Sequence, residues 1–590
     1  MFQGDLIMWN INEKLGTIPS VAKVQRCAGE RTCYPLAFGV PAALMVLAAV
    51  CFVLGCFFGY RKITPDKNVI VEVFKAIRKA LKNRRRFTKM FHRGRAHWLD
   101  HLLDDHGCAY DACCTTVKCN KAQFIVDVKG VLRLLVLFIP MPFFWTLYNQ
   151  QHSRWVEQAT TMDYRIAGWI MPPELTQAIN PILILVLIPI FQGIVYPMFR
   201  LIRIEPTPLR RMCVGGVLAA GSFYIAACVQ LIVNTTLPVL PMNGCGHLNF
   251  INTQPCVYNL TALNGPQPNS FTVSSYGTTN FTHSDTKYVR NWRAGVYSWS
   301  AEVLSGACQP IANFSTTVYD GTVAYTVLSD VEEPITYKGT LMKDQNGLGL
   351  MRIQMLDFRA PPLTDHTTLF LCSNGRLETA ALPCNAHDAY NFEVMHIDDE
   401  RRSSEIKAIL SGTTWQVFEW TNQSRPYNEL TPTQLQAMIT PYNVNFTISG
   451  QGGIYVLAMY GNGSVTSPGR VVYEVASPNT VTVLLQLPQY AVLAAAEILV
   501  AVTGLELSYS QAAPTMKTVV HAAWLLTVSI GNLITVVLIE LNFFDNLAYE
   551  MLLFGSLMIL VTIVMILLSI FYYEYQFYEQ TSEAEVTIQR

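Results

Sequence analysis

Apolar and polar positions alternate along this chain on two length scales, and each scale predicts a different kind of element. On the long scale, runs of about 20 mostly apolar residues, the length a helix needs to cross a bilayer core, occupy positions 36–59, 131–148, 180–199, 212–233, 487–507, 521–539 and 551–572. On the short scale, the stretch between the fourth and fifth runs carries segments such as 322–328 and 453–460, rich in β-branched and aromatic residues and bounded by Gly, Asn and Asp. These predict strands. A third pattern lies at Ile70, Val73, Phe74, Ile77 and Leu81, which recur at helical spacing with lysines and arginines on the other face. That is an amphipathic helix. The expected fold is an all-α membrane bundle of seven transmembrane helices with an inserted all-β, immunoglobulin-like sandwich.

Composition agrees with a mixture. Of 590 residues, 51% are hydrophobic and 14% charged, too apolar for an ordinary soluble multidomain protein and too polar for a bare bundle. The formal net charge is +0, so no basic excess points to nucleic acid. Charge informs by position instead. Arg61, Lys62, Lys67, Lys75, Arg78, Lys79, Lys82, Arg84, Arg85, Arg86 and Lys89 follow the first run, and Arg200, Arg203, Arg210 and Arg211 separate the third from the fourth. The positive-inside rule puts both segments in the cytoplasm. The β-rich insert then lies outside and the C-terminal tail inside. No signal-peptide pattern opens the chain, so the spans themselves are expected to direct insertion into the plasma membrane.

The sequons support that topology. N-x-[ST] occurs at Asn234, Asn259, Asn280, Asn313, Asn422, Asn445 and Asn462, all within the insert, which is expected to be a glycosylated ectodomain. The organisation read from these signals is a degenerate start (1–35), a first transmembrane helix (36–59), a cytoplasmic linker (60–129), helices two to four (130–233), ectodomain lobes at 234–363 and 364–486, helices five to seven (487–573) and a tail (574–590). The lobe boundary rests on the linker-like Arg359-Ala-Pro-Pro-Leu363. Oxidising conditions outside favour disulfides, and short intervening loops suggest Cys245/Cys256 and Cys372/Cys384, with Cys308 left over. In the linker, His101, His106, Cys108, Cys113, Cys114 and Cys119 cluster without the paired knuckles of structural zinc. No metal is expected. The amphipathic helix reads as a bridge between helical bundles, with lipid sensing and calmodulin binding as alternatives.

Ionisable residues at membrane depth mark candidate function, because each needs a partner, a water-filled cavity or a ligand. Arg133 lies near the inner boundary of the second run, followed by Pro140 and Pro142, which free backbone carbonyls. Counted from Pro488 at the outer boundary, Glu497 sits about 13–14 Å deep, near the midplane. Glu506 falls close to the inner surface. No Lys or Arg lies in the central parts of the other runs, so the expected partner of Glu497 is a mobile cation, a proton, or a residue from elsewhere.

Cys33-Tyr-Pro-Leu-Ala-Phe-Gly-Val-Pro-Ala-Ala-Leu-Met45, Pro142-Phe-Phe-Trp-Thr-Leu-Tyr-Asn-Gln-Gln-His-Ser-Arg-Trp155, Asn180-Pro-Ile-Leu-Ile and Thr503-Gly-Leu-Glu-Leu-Ser-Tyr-Ser-Gln511 resemble the proton-coupled oligopeptide transporters, a branch of the major facilitator superfamily. The order, the spacing and the β-rich insert resemble the animal members that import di- and tripeptides with protons. The resemblance implies that Glu497, helped by Asn180, meets the peptide amino terminus, that Trp145 and Trp524 bound side-chain pockets, and that Arg133 and Glu506 serve gating and proton coupling. It implies a transporter, not an enzyme, with the proton as coupling ion and no other cofactor.

Two positions depart from the family pattern: Asn149 and Gln192 stand where members carry aspartate. The resemblance begins at the family's sixth helix, so a partial major facilitator fold is expected, and the E-x-x-E-R motif of the family's first helix occurs in no span. The alternatives are therefore a transport-incompetent half that binds peptide or regulates a full-length relative supplying the other helices, and, less simply, a seven-helix receptor.

Overall fold

The computed structural model describes residues 34–58, 69–91, 97–102, 120–166, 169–201, 203, 207–264, 270–278, 289–330, 332–343, 349–360, 368–373, 392–398, 402–420, 432–462, 469–540, 544 and 546–575. The expectations for the first 33 residues, for the loop after Phe58, for His106 and the linker cysteines, for Cys384, Asn280 and Asn422, and for the tail beyond Tyr575 lie outside these residues.

Helix α1 (Tyr34–Phe58) is apolar all round and α2 (Val69–Phe91) is the amphipathic helix. Next come α3 (Asn120–Leu137), α4 (Met141–Tyr148) and α5 (Arg154–Thr160), then α6 (Ile179–Ile190), a π-helical turn (Phe191–Val195) and α7 (Tyr196–Leu201). Helix α8 (Pro208–Asn234) leads into the insert, which holds α9 (Pro432–Met438). After it run α10 (Leu487–Glu497), a second π-helical turn (Ile498–Val502), α11 (Thr503–Ser510), α12 (Lys517–Glu540) and α13 (Leu547–Phe571).

Among the described residues, six helical stretches are long and apolar enough to cross a membrane, not seven. The exception is the run at 131–148. Pro140 has no N–H to donate and its ring opposes continuation, so α3 stops at Leu137 and α4 restarts one turn later, with Phe144 N donating to Pro140 O at 3.2 Å. Two shorter helices replace one. Around α8 the bundle core gathers Phe223, Tyr490, Leu493, Phe554, Met558 and Trp155.

The insert contains strands in three sheets. Strands β1 (Arg165–Ile166) and β2 (Trp169–Ile170) form a hairpin just after α5. One four-stranded sheet has the order β10-β9-β3-β6, from β3 (Cys245–Asn252), β6 (Val289–Arg293), β9 (Val323–Leu328) and β10 (Ile335–Gly339). Another, β5-β4-β7-β8, uses β4 (Val257–Ala262), β5 (Ser270–Val273), β7 (Gly295–Ser305) and β8 (Ile311–Val318). The third sheet has nine strands: β11 (Leu350–Ala360), β12 (Thr368–Ser373), β13 (Phe392–Asp398), β14 (Ser403–Ser404), β15 (Lys407–Leu410), β16 (Thr414–Trp420), β17 (Ile439–Thr447), β18 (Ile454–Asn462) and β19 (Gly469–Ala476). Strands β3 and β9 pair in parallel, as do β11 and β18.

Packing explains the burial. Leu248, Phe250, Tyr258, Trp299 and Phe314 fill the space between the two four-stranded sheets. On the opposite face, Ile251, Val323, Tyr325 and Val327 pack against Leu356, Phe358, Val456 and Tyr473 of the nine-stranded sheet. Strand β9 is thus buried on both faces and reads as a continuous apolar run.

This arrangement corrects the lobe boundary. Arg359 and Ala360 are the end of β11, paired with Gly461 and Asn462, so the division falls between Gly339 and Leu350. An ion cluster also ties the two parts together: Arg402 Nε donates to the exposed Glu332 Oε1 at 2.6 Å, Arg402 Nη1 donates to Asp357 O at 3.4 Å, and Arg359 pairs with buried Asp357.

The disulfide Cys256–Cys308 corrects the Cys245/Cys256 pairing. Strand β4 pairs antiparallel with β7, Val257 opposite Ser305, which brings the residue before β4 to the residues after β7. Cys245 opens β3 and carries a free thiol. Cys372 is disulfide-bonded. Asn234 is the last residue of α8, where its amide accepts from Gln230 Nε2 at 2.9 Å and donates to Asn546 Oδ1 at 2.9 Å. Asn313 and Asn445 are exposed and Asn259 is half-buried.

The insert meets the bundle through the β1–β2 hairpin. Met162 O accepts from Gln451 Nε2 at 3.0 Å and from Asn479 Nδ2 at 3.2 Å, while Gly349 N donates to Tyr164 Oη at 3.0 Å.

Candidate functional site

Glu497 ends α10 immediately before the π-helical turn, where an extra residue per turn re-aims the following helix. Its carboxylate is buried. Asn180, near the start of α6, donates from Nδ2 to Glu497 Oε2 at 2.8 Å and also reaches Tyr148 Oη at 3.0 Å. Tyr148, the last residue of α4, donates its hydroxyl to the same Glu497 oxygen. Three helices thus converge on one carboxylate oxygen through neutral donors. Among the described residues no Lys or Arg pairs with Glu497, and Asn180 Oδ1 is buried with no hydrogen-bond partner.

Aromatic rings wall one side. Trp145 stands one turn before Tyr148 on α4, edge-on to it at 5.7 Å between centroids, and meets Trp524 of α12 edge-on at 6.1 Å. Phe138 packs against Trp524 at 5.4 Å. Two glycines permit this approach. A Cβ on Gly531 would lie 2.6 Å from Trp145 Cβ, and one on Gly504 would lie 2.2 Å from Trp524 Cη2. Small residues at the α4–α12 seam let backbones come close enough for side-chain hydrogen bonds: Thr146 Oγ1 donates to Gly531 O at 3.1 Å, and Asn149 Nδ2 to Asn532 Oδ1 at 2.5 Å.

Four of the expected site residues, Glu497, Asn180, Trp145 and Trp524, are therefore brought into one neighbourhood. Arg133 and Glu506 are not. Arg133 is exposed on α3, four residues from Lys129, which pairs with Asp100 of the Trp98–Leu102 turn at 2.6 Å. Burial, and after it the positive charge of Lys129 and then that of Arg133, holds the His97 imidazole below its ordinary range, with Asp100 pulling the other way. Glu506 pairs with Arg211 at 3.3 Å, and Arg211 lies over the Tyr196 ring at 4.4 Å. These groups line a cavity of about 780 Å³ with Gln192, Tyr509 and Lys517. Glu497 does not line it.

Tyr148 is the neighbour of Glu497 that the sequence alone did not single out. Its signal was available: it follows Trp145 by three residues, which places both on one helix face. The partner on another helix was not available.

The POT family profile matches residues 9–322 of this chain. Over 616 aligned positions the chain is 33% identical to Peptide transporter family 1 of Caenorhabditis elegans, covering 96% of this chain and 71% of that protein. It is 31% identical to Solute carrier family 15 member 1 of Rattus norvegicus, covering 95% and 71% respectively. Among solved structures, an auto inhibited POT family peptide transporter aligns over 97% of this chain and 70% of its own, at 15% identity and a TM-score of 0.40.

Proposed function

Because this chain belongs to the POT family, we propose that it carries di- and tripeptides across the plasma membrane together with protons, with Glu497 receiving the peptide amino terminus. The observation that carries this reading is the carboxylate held in place by neutral donors alone. Tyr148 and Asn180 fix its position, yet they leave its charge without a cation. A buried charge of that kind must be compensated. A proton and a peptide ammonium are the two small cations that can do so in turn, and their exclusion of one another is a means of coupling. An ammonium brings three donors, and the site offers it the second Glu497 oxygen and the unpartnered Asn180 Oδ1.

Trp145 and Trp524 add apolar and cation–π surface that accepts varied side chains. Arg133 and Glu506, on the cytoplasmic side of this site, act in gating and not in recognition. Gln192, Arg211 and Glu506 share one cavity. The insert faces outward and the C-terminus inward.

The test is binding of a labelled dipeptide to the purified 590-residue chain in nanodiscs. Acetylating the peptide's amino terminus and the substitution Glu497→Gln should each weaken binding by at least roughly tenfold, the scale of a lost charge-assisted contact, without lowering the thermal midpoint. Equal affinity for free and acetylated peptides removes Glu497 from this role.

A further inference from the structure

Helix α2 carries two apolar faces, and among the described residues only one of them is packed inside the protein. Val73, Ala76 and Ala80 are buried and join Leu99, Leu102, Ile125 and Val128 in one core, and Asn83 Nδ2 donates to His101 O at 3.0 Å along the same face. That face docks α2 against the Trp98–Leu102 turn and the cytoplasmic start of α3. The remaining apolar residues point elsewhere. At 100° per residue, Ile70, Phe74 and Leu81 form a stripe about a third of a turn away, and they are 42%, 69% and 45% exposed.

The border of this stripe says what covers it. Arg78 and Arg85 follow Phe74 and Leu81 by four residues, so each stands beside an apolar neighbour on the helix surface, and Lys75 and Lys82 continue the cationic arc; all four are exposed. A second protein helix seated there would have to bury or pair this row of cations. An acidic leaflet takes both features at once, because phenyl and aliphatic groups enter the acyl boundary while ammonium and guanidinium heads meet phosphates on flexible stems. The docking face already holds α2 at the inner end of the bundle, where the leaflet lies. We infer that α2 rests its Ile70–Phe74–Leu81 stripe in the inner leaflet and binds acidic phospholipid through Lys75, Arg78, Lys82 and Arg85. Its register on α3 then depends on the charge of the lipid beneath it.

The experiment is hydroxyl-radical footprinting of the full chain in nanodiscs of phosphatidylcholine, alone or with roughly a third phosphatidylserine. Oxidation of Phe74 and Leu81 should fall about threefold or more when phosphatidylserine is present, as anionic attraction adds to apolar insertion. Replacing Lys75, Arg78 and Lys82 together by Glu should erase that difference, while buried Leu99 stays unreactive in every disc, which reports that α2 remains docked. Equal, high oxidation in both lipids places the stripe in water and overturns the inference. Equal, low oxidation in both lipids and in detergent means that protein covers the stripe, which overturns it as well.

Discussion

Glu497 and Glu550 are both buried acids of the helical bundle, and the bundle treats them in opposite ways. Glu550 lies in the first turn of α13, where the helix N-terminus favours an anion, and Arg154 Nη2 approaches it to 3.0 Å with both side chains at or below 10% exposure. Its charge is compensated within the chain. Glu497 is held as firmly in position, but by a phenol and an amide. Arg154 also pairs with Glu157 at 2.9 Å, so one guanidinium serves two carboxylates and Glu550 has a fixed cation beside it. A carboxylate oriented by neutral donors keeps its need for a cation, and that separates a binding group from a structural one.

The largest effect should come from breaking the completed pair. Arg154→Met leaves Glu550 buried and unpaired, which costs about 3–5 kcal/mol in comparable sites, seen as a lower thermal midpoint and a poor folded yield. Adding Glu550→Leu should recover most of that loss, and a single variant as stable as the parent would show that the pair contributes little. Next comes Tyr148→Phe, which keeps the ring against Trp145 but removes one donor from Glu497, a contact worth about 1.5–3 kcal/mol when the acceptor is charged. Dipeptide binding by the variant should fall by roughly tenfold, the scale of one lost charge-assisted contact, with the thermal midpoint little changed. A thermal midpoint that falls along with binding would point to packing instead.

Glu506→Gln should do less. Its carboxylate is 55% exposed and its partner Arg211 also rests on Tyr196, so the change is expected within about 1 kcal/mol and within about threefold in binding. A loss equal to that of Glu497→Gln would dissolve the distinction drawn between the two acids. The smallest effect lies in the ectodomain, where Lys343 is the cationic counterpart of Glu497: it donates to the neutral Asn479 Oδ1 at 2.9 Å. Burial pushes its amine down to about 8, with Glu474 pulling up. An unfolded lysine keeps its proton to about 10.4, so between these values the unfolded chain holds more protons and stability rises with pH. Lys343→Met should flatten that rise in a pH series of thermal midpoints.

Hydropathy and helical spacing were legible residue by residue, because burial in a bilayer or against a core acts on each side chain where it stands in the chain. The long spans, the amphipathic α2 and the β-rich insert follow from that. Family resemblance in short motifs was enough to group Glu497 with Asn180, Trp145 and Trp524. What required the tertiary structure was every choice among partners. Cys256 joins Cys308 because of the β4–β7 register, not because of loop length. The lobe division lies before Leu350 because β11 pairs with β18, about a hundred positions later. Asn234 finds Gln230 and Asn546 as its partners, and Tyr148 enters the site because α4 ends where α6 and α10 converge. In each case the sequence supplied groups able to pair, and the free energy that selected one pairing came from contacts between segments that the order of residues does not bring together.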